Sequence, residues 1–119
     1  MQNKRSLGSE KEQQALDYLT EHNVKILDKN YYFRGGEIDL IVQDGEYVCF
    51  IEVKYRKSNN FGAPEEAVTL SKQKKIIQGA KVYLYLNRYP TDTPCRFDVI
   101  SVSGQEIKWI KDAFAVAGW

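Results

Sequence analysis

Residues 37–56 constrain the fold more than any other stretch of the chain. Two runs dense in β-branched and aromatic side chains, Glu37-Ile38-Asp39-Leu40-Ile41-Val42-Gln43 and Glu46-Tyr47-Val48-Cys49-Phe50-Ile51-Glu52-Val53-Lys54-Tyr55-Arg56, flank the pair Asp44-Gly45. Asp-Gly between two such runs predicts a two-residue hairpin turn, because both central positions of the commonest turn need a positive φ. With Asp44-Gly45 as the whole loop, Gln43 stands opposite Glu46, Asp39 opposite Phe50 and Glu37 opposite Glu52. Opposed residues project to the same face, and so do residues two apart along a strand. Glu37, Asp39, Glu52 and Lys54 are therefore expected on one side, and Ile38, Leu40, Val42, Cys49, Ile51 and Val53 on the other, as a core surface.

Three carboxylates and one ammonium on one face need an explanation, since like charges placed opposite one another destabilise a sheet. A bound cation is the economical one. Asp39 and Glu52 are diagonal neighbours in this register, with Cα atoms roughly 7–8 Å apart, a span that two carboxylates can bridge through one ion. Hard oxygen ligands that leave positions for water and phosphate suit Mg²⁺ or Mn²⁺ better than Zn²⁺. The chemistry this permits is phosphodiester hydrolysis, in which the metal polarises the phosphate and acidifies a bound water. Lys54 would steady the attacking water or the developing charge. The competing reading is a solvated strand face with scattered ion pairs, and a single bulge would turn Asp39 to the opposite face.

The rest of the chain supplies the frame. Ala15, Leu16 and Leu19 lie at helical spacing and predict a helix over residues 7–22. Extended one turn back, the same stripe includes Glu12, a further carboxylate for the ligand set. Val24–Leu27 and Asn30–Arg34 are expected to be extended, before Gly35-Gly36 breaks the run. Residues 57–66 have loop composition, as a plain connector or as a substrate loop beside the site. Thr69 or Ser71 can cap a second helix with an inward stripe of Gln73, Ile76, Ile77, Ala80, Tyr83 and Leu84. Arg96–Val102 is expected to be a third long strand, Ser103-Gly104 a turn and residues 105–111 a closing strand. The apolar tail 112–119 should pack on the domain or on a partner.

At 119 residues the chain has room for one hydrophobic core, so it is expected to be a single domain, with its core at about 6–111. Its 17 basic and 16 acidic residues leave a net charge of +1, which argues against a dedicated, strongly basic phosphate-backbone binder. Basic residues are nonetheless segregated: Lys72, Lys74, Lys75 and Lys81 in one segment, Lys54, Arg56 and Lys57 in another. Of these, Arg56, Lys72 and Lys75 are candidate phosphate contacts, although a solvated helix face also accounts for the lysines. Gln73 is either a contact to the metal-bound water or scissile phosphate, or a core-edge amide bonded to backbone. Asp98 is expected in a structural ion pair with Arg96 or Arg34, and His22 at the surface near the end of the first helix. Neither cysteine has metal-ligand or C-x-x-C spacing, so both are expected to be reduced structural thiols. With no apolar leader or membrane-length run, a cytoplasmic protein is expected.

Glu37-Ile38-Asp39 followed by Glu52-Val53-Lys54 resembles the PD-(D/E)XK nuclease motif, with Ile38 in place of proline. More broadly, the chain is similar to a small bacterial family related to archaeal Holliday junction resolvases, the YraN-like proteins. The shared features are Gly8, Glu12, Ala15 and Tyr18-Leu19; Ile26-Leu27 and Asn30; Gly36-Glu37-Ile38-Asp39-Leu40-Ile41; Phe50-Ile51-Glu52-Val53-Lys54-Tyr55-Arg56; Gly62 with Glu66-Ala67-Val68; Lys72-Gln73; and Arg96-Phe97-Asp98-Val99. The resemblance spans about residues 4–102. It implies a restriction-endonuclease-like α/β fold, a mixed β-sheet flanked by helices, with metal-site positions at Glu12, Asp39, Glu52 and Lys54. Glu37, across from Glu52 in the expected register, is a supporting candidate beside them. It also implies nucleic-acid binding, and it suggests a Mg²⁺- or Mn²⁺-dependent endonuclease acting on branched or structured DNA. Resolvases act as symmetric pairs, so a homodimer is part of this expectation. The alternatives are a non-catalytic nucleic-acid-binding protein of the same fold and an interaction protein that assembles through its apolar C-terminal segment.

Overall fold

The hairpin forms, with its turn one residue further along than the sequence suggests. In a computed structural model of the chain, β2 (Gly36–Asp44) pairs antiparallel with β3 (Tyr47–Arg56). Asp44 faces Tyr47 and Gln43 faces Val48, which makes the loop Gly45-Glu46 rather than Asp44-Gly45. The reason is conformational. Gly45 has φ +61°, whereas Glu46 keeps a negative φ, as in a type II′ turn, which needs glycine only at its first central position. Asp44 stays in the strand, where Arg96 Nη2 reaches its carboxylate at 2.8 Å and Lys111 Nζ at 3.4 Å.

This shift corrects the expected pairing in detail. Leu40 faces Ile51 and Ile41 faces Phe50, so Asp39 does not oppose Phe50, and Glu37 does not oppose Glu52. One step beyond the last ladder pair, the same register puts Asp39 against Glu52, directly rather than diagonally. Because the offset is two residues, the division of β3 between its faces survives.

The structure describes residues 4–56 and 68–115, with side chains from residue 10 onward except those of 11 and 56. The remaining elements are α1 (Lys4–Glu21), β1 (Lys25–Phe33), α2 (Leu70–Leu86), β4 (Cys95–Ser103) and β5 (Glu106–Ile110). The sheet order is β1-β2-β3-β4-β5, antiparallel throughout except for the parallel pair β3/β4. A parallel pair needs a long crossover, and α2 lies in it.

The two helices cover opposite faces. Ile76, Ala80 and Tyr83 of α2 pack with Ile41, Val48, Phe50, Phe97 and Val99. Ala15 and Leu19 of α1 pack with Leu40, Val42, Cys49, Ile51, Val53, Ile100 and Val102. The expected division into one polar and one apolar side of the hairpin is thus corrected. Both faces are core at mid-strand, with Ile41 and Phe50 under α2 and Leu40, Cys49, Ile51 and Val53 under α1. The result is a three-layer α/β domain, with a five-stranded mixed sheet between two helices, consistent with the restriction-endonuclease-like fold.

A second correction concerns Ile38. It packs in the α2-side cluster with Ile41, not with Leu40 and Val42 on the α1 side. The β1/β2 ladder passes from Lys29–Leu40 to Tyr31–Ile38 and skips Asn30 and Asp39. Asn30 has φ +52°, a left-handed conformation that asparagine tolerates better than most residues. The alternation of β2 therefore breaks at Asp39. β1 is a single strand with a further register shift at Leu27, not two extended pieces.

Elsewhere the elements follow their local signals. Thr69 caps α2, its side chain accepting the Lys72 N–H at 3.2 Å. Gly79, on the buried face of α2, leaves room for the Phe33 ring, which a β-carbon would strike. Ala113 and Phe114 pack against the α2-side core, with Phe114 stacked on Phe97. Residues 57–66 and 116–119, expected as loop and tail, lie outside the described residues. No helix among the described residues is long and apolar enough to cross a membrane.

Candidate active site

Asp39 and Glu52 meet at the point where β2 and β3 part. The last ladder pair is Leu40–Ile51. Beyond it, the Val53 N–H donates to Asp39 Oδ2 at 2.8 Å, so a side chain takes the place of a strand partner. Glu52 is only 3 % exposed although it is ionisable. Burial pushes the Asp39 carboxyl up to about 8, helped by a hydrogen bond from one carboxyl to the other and by the negative charges of Glu52 and Glu37, and the Val53 N–H only partly offsets this. Two carboxyls in contact cannot both ionise cheaply, so one of them holds a proton or a cation.

Two ammonium groups already attend Glu52. Lys54 Nζ lies 3.8 Å from Oε2, and Lys72 Nζ, from the first turn of α2, lies 2.5 Å from the same oxygen. Burial alone would lower the pKa of Lys72, but the hydrogen bond and charge of Glu52 outweigh it and raise the pKa above its ordinary value. The sequence grouped Lys72 with the phosphate-contacting lysines. Its partnership with Glu52 arises from the docking of α2, which no local signal carries.

Glu12 and Glu37 stand further out. Glu12 Oε2 accepts from Asn30 Nδ2 at 3.2 Å. The acidic groups share one neighbour, Tyr55: its phenol is pushed upward by burial and then by the charges of Glu12, Asp39, Glu52 and Glu37. Tyr55 was absent from the sequence-based candidates, and its signal was the strand position three beyond Glu52, on the face turned toward α1. Among the described residues, no three His, Cys, Asp or Glu side chains stand close enough together to hold an ion. The structure brings Asp39, Glu52, Lys54 and Lys72 together and leaves Glu12 on Asn30.

Residues 11–102 match the model of the family described as "Uncharacterised protein family UPF0102". The chain belongs to the UPF0102 family. UPF0102 proteins from Lachnoclostridium phytofermentans and Nitrosomonas eutropha are 47 % and 45 % identical to it, over 98 % and 96 % of this chain and 98 % and 97 % of their own. A UPF0102 protein from Vibrio parahaemolyticus is 43 % identical over 94 % of each chain. This is the YraN-like family that the sequence resembles.

The other candidates of this UPF0102 chain lie around or away from that group. Gln73 donates to the Val68 carbonyl at 3.0 Å, as a core-edge amide. Lys75 lines a cavity of about 370 Å³ between the Gly35-Gly36 turn and the start of α2, together with Glu37, Thr69, Ser71 and Lys72. The Arg56 side chain lies outside those described. Asp98, 0 % exposed, accepts from Arg96 Nε and Nη2, Trp109 Nε1 and the Asp112 N–H, all between 2.9 and 3.2 Å. It is a satisfied structural anion that ties β4 to β5 and to the chain beyond it. Burial pushes the Cys49 thiol up to about 12, so it remains a thiol at neutral pH. His22 is exposed, its Nδ1 2.7 Å from the Tyr18 carbonyl.

Proposed function

We propose that this protein is a divalent-metal-dependent endonuclease of the PD-(D/E)XK class that hydrolyses phosphodiester bonds in branched or structured DNA. The contact between Asp39 and the buried Glu52, with Lys54 beside them, carries the reading. Two touching carboxyls, one of them kept protonated by burial and then by the other, form a donor set that a doubly charged ion would relieve. The oxygens suit Mg²⁺ or Mn²⁺. Asp39 and Glu52 would hold the ion, and Glu12 would join them on leaving Asn30.

The ion would supply Lewis-acid polarisation of the phosphate and a more acidic water. The chain's own groups do the rest. Glu52 anchors the Lys54 ammonium at the open end of the strands, where it can donate to the attacking water or to the charge that grows on the phosphate. Asp39 must give up its proton before it can serve as a ligand. Lys75, on the cavity beside Glu37, faces the route by which a phosphate would approach. In this reading the protein acts in the cytoplasm, and cutting a two-fold junction calls for a homodimer.

The test is a cleavage panel on single-stranded, duplex, flapped and four-way-junction DNA with Mg²⁺ or Mn²⁺, run beside Glu52→Ala. Metal-dependent cleavage by the wild-type chain, lost in the variant, is expected. Absence of cleavage on every substrate, with the protein folded, defeats the proposal. One observation favours a second reading: Lys72 and Lys54 neutralise Glu52 without a metal, as a non-catalytic nucleic-acid-binding protein would require. That reading expects salt-sensitive binding that Glu52→Ala leaves unchanged.

A further inference from the structure

We propose that Lys72 is the site's resident counter-ion: its ammonium occupies Glu52 until a divalent cation displaces it. The inference rests on the reading of Asp39 and Glu52 as metal ligands. Lys72 occupies the third position of α2, within a first turn that contains no acidic residue. A cation there opposes the helix dipole, which favours negative charge at an N-terminus. Glu52 compensates for that placement. Its Oε2 lies 2.5 Å from Lys72 Nζ, closer than the 3.8 Å of Lys54.

An ammonium that close to Oε2 takes one of the carboxylate's lone pairs and repels a dication approaching the same group, so ion binding favours the departure of Lys72. It has somewhere to go. Its side chain is 45 % exposed and borders the cavity of about 370 Å³ that Glu37 also lines. The charge of Glu37 already acts on it there. Lys54 has the opposite character: being further from Oε2, it can stay in place while the ion arrives.

If Lys72 sits on Glu52 about nine-tenths of the time, the apparent metal affinity is about tenfold weaker than that of the vacated site. Titration calorimetry with MnCl₂ on wild type, Lys72→Met and Lys74→Met tests this. Lys74→Met removes a charge two residues further along α2, away from the cavity and from Glu52. Lys72→Met is expected to bind Mn²⁺ about tenfold more tightly than wild type, with Lys74→Met within about twofold of wild type. Equal tightening in both variants, or none in Lys72→Met, overturns the inference and leaves the metal site standing. No Mn²⁺ binding by any of the three overturns both. Should Lys72→Met fail to fold, a crystal structure of the wild-type protein with Mn²⁺ decides: an ion on Asp39 and Glu52 with Lys72 Nζ still bonded to Glu52 refutes the displacement.

Discussion

Asp39→Asn should make the protein more stable at neutral pH. The folded state holds the Asp39 proton to about 8, against an ordinary 3.8. Between these values the folded chain binds a proton that the unfolded chain has released, so stability must fall as pH rises through that window. At 1.36 kcal/mol per pH unit, the full effect at pH 7 would be about 4 kcal/mol. The carboxyl is only half-buried, so solvent screening reduces this to about 1–2 kcal/mol. Asparagine cannot ionise, and its carbonyl oxygen can still accept the Val53 N–H. Urea unfolding at pH 4, 6 and 8 provides the assay. Wild-type stability should decline across the series, while that of Asp39→Asn stays level, exceeding wild type by about 1–2 kcal/mol at pH 8. Saturating Mg²⁺ should restore the wild-type protein, which can trade the proton for the ion, and leave the variant unaffected. A variant less stable than wild type at pH 8, or one with the same pH slope, would refute the crowding of the two carboxyls.

Three further outcomes follow from other parts of the structure. Lys54→Met should abolish cleavage while Mn²⁺ still binds, as calorimetry would show, because Lys54 is assigned to the water and the phosphate rather than to the ion. Asp98→Ala should cost about 2–4 kcal/mol in chemical denaturation, since Asp44 still neutralises the Arg96 guanidinium but Arg96 Nε and the Trp109 and Asp112 donors lose their acceptor; a loss below about 1 kcal/mol would mean that water replaces the anion. Gly79→Ala should lower the melting temperature by several degrees, about 1–3 kcal/mol, because the new methyl group meets the Phe33 ring.

The hairpin was legible because turn chemistry and strand composition are local properties of residues 37–56. The grouping of Asp39 with Glu52 and Lys54 survived a wrong turn position because the register moved by two residues, and side-chain direction repeats every two. The break at Ile38 was not legible. It depends on Asn30, eight residues earlier on a neighbouring strand, adopting a left-handed conformation that sequence permits but does not require. Phe50 shows the same limit: it was placed on a polar face because alternation cannot tell a solvated side from one that a second helix will cover. Lys72 is legible as a charge but not as a partner of Glu52, since only the packing of α2 on Ile41 and Phe50 carries its first turn there.

The end of the ladder and the candidate site have a single origin. Continued one step further, the register of β2 and β3 would put Val53 opposite Ile38, and the Val53 N–H would go to backbone. It goes to Asp39 instead, so the strands separate without leaving that donor unpaired. The same carboxylate thereby comes to rest on Glu52. Asp39 is therefore both the cap of the ladder and half of the acidic pair, and two substitutions separate these roles. Asp39→Asn keeps an acceptor for Val53 and removes the acid; Asp39→Ala removes both. In amide hydrogen exchange, Val53 should keep its protection in Asp39→Asn and lose about tenfold or more in Asp39→Ala, the equivalent of one hydrogen bond of about 1–1.5 kcal/mol. Equal protection in the two variants would mean that the strands close on themselves without Asp39, and that the opening above Glu52 is held apart by something else.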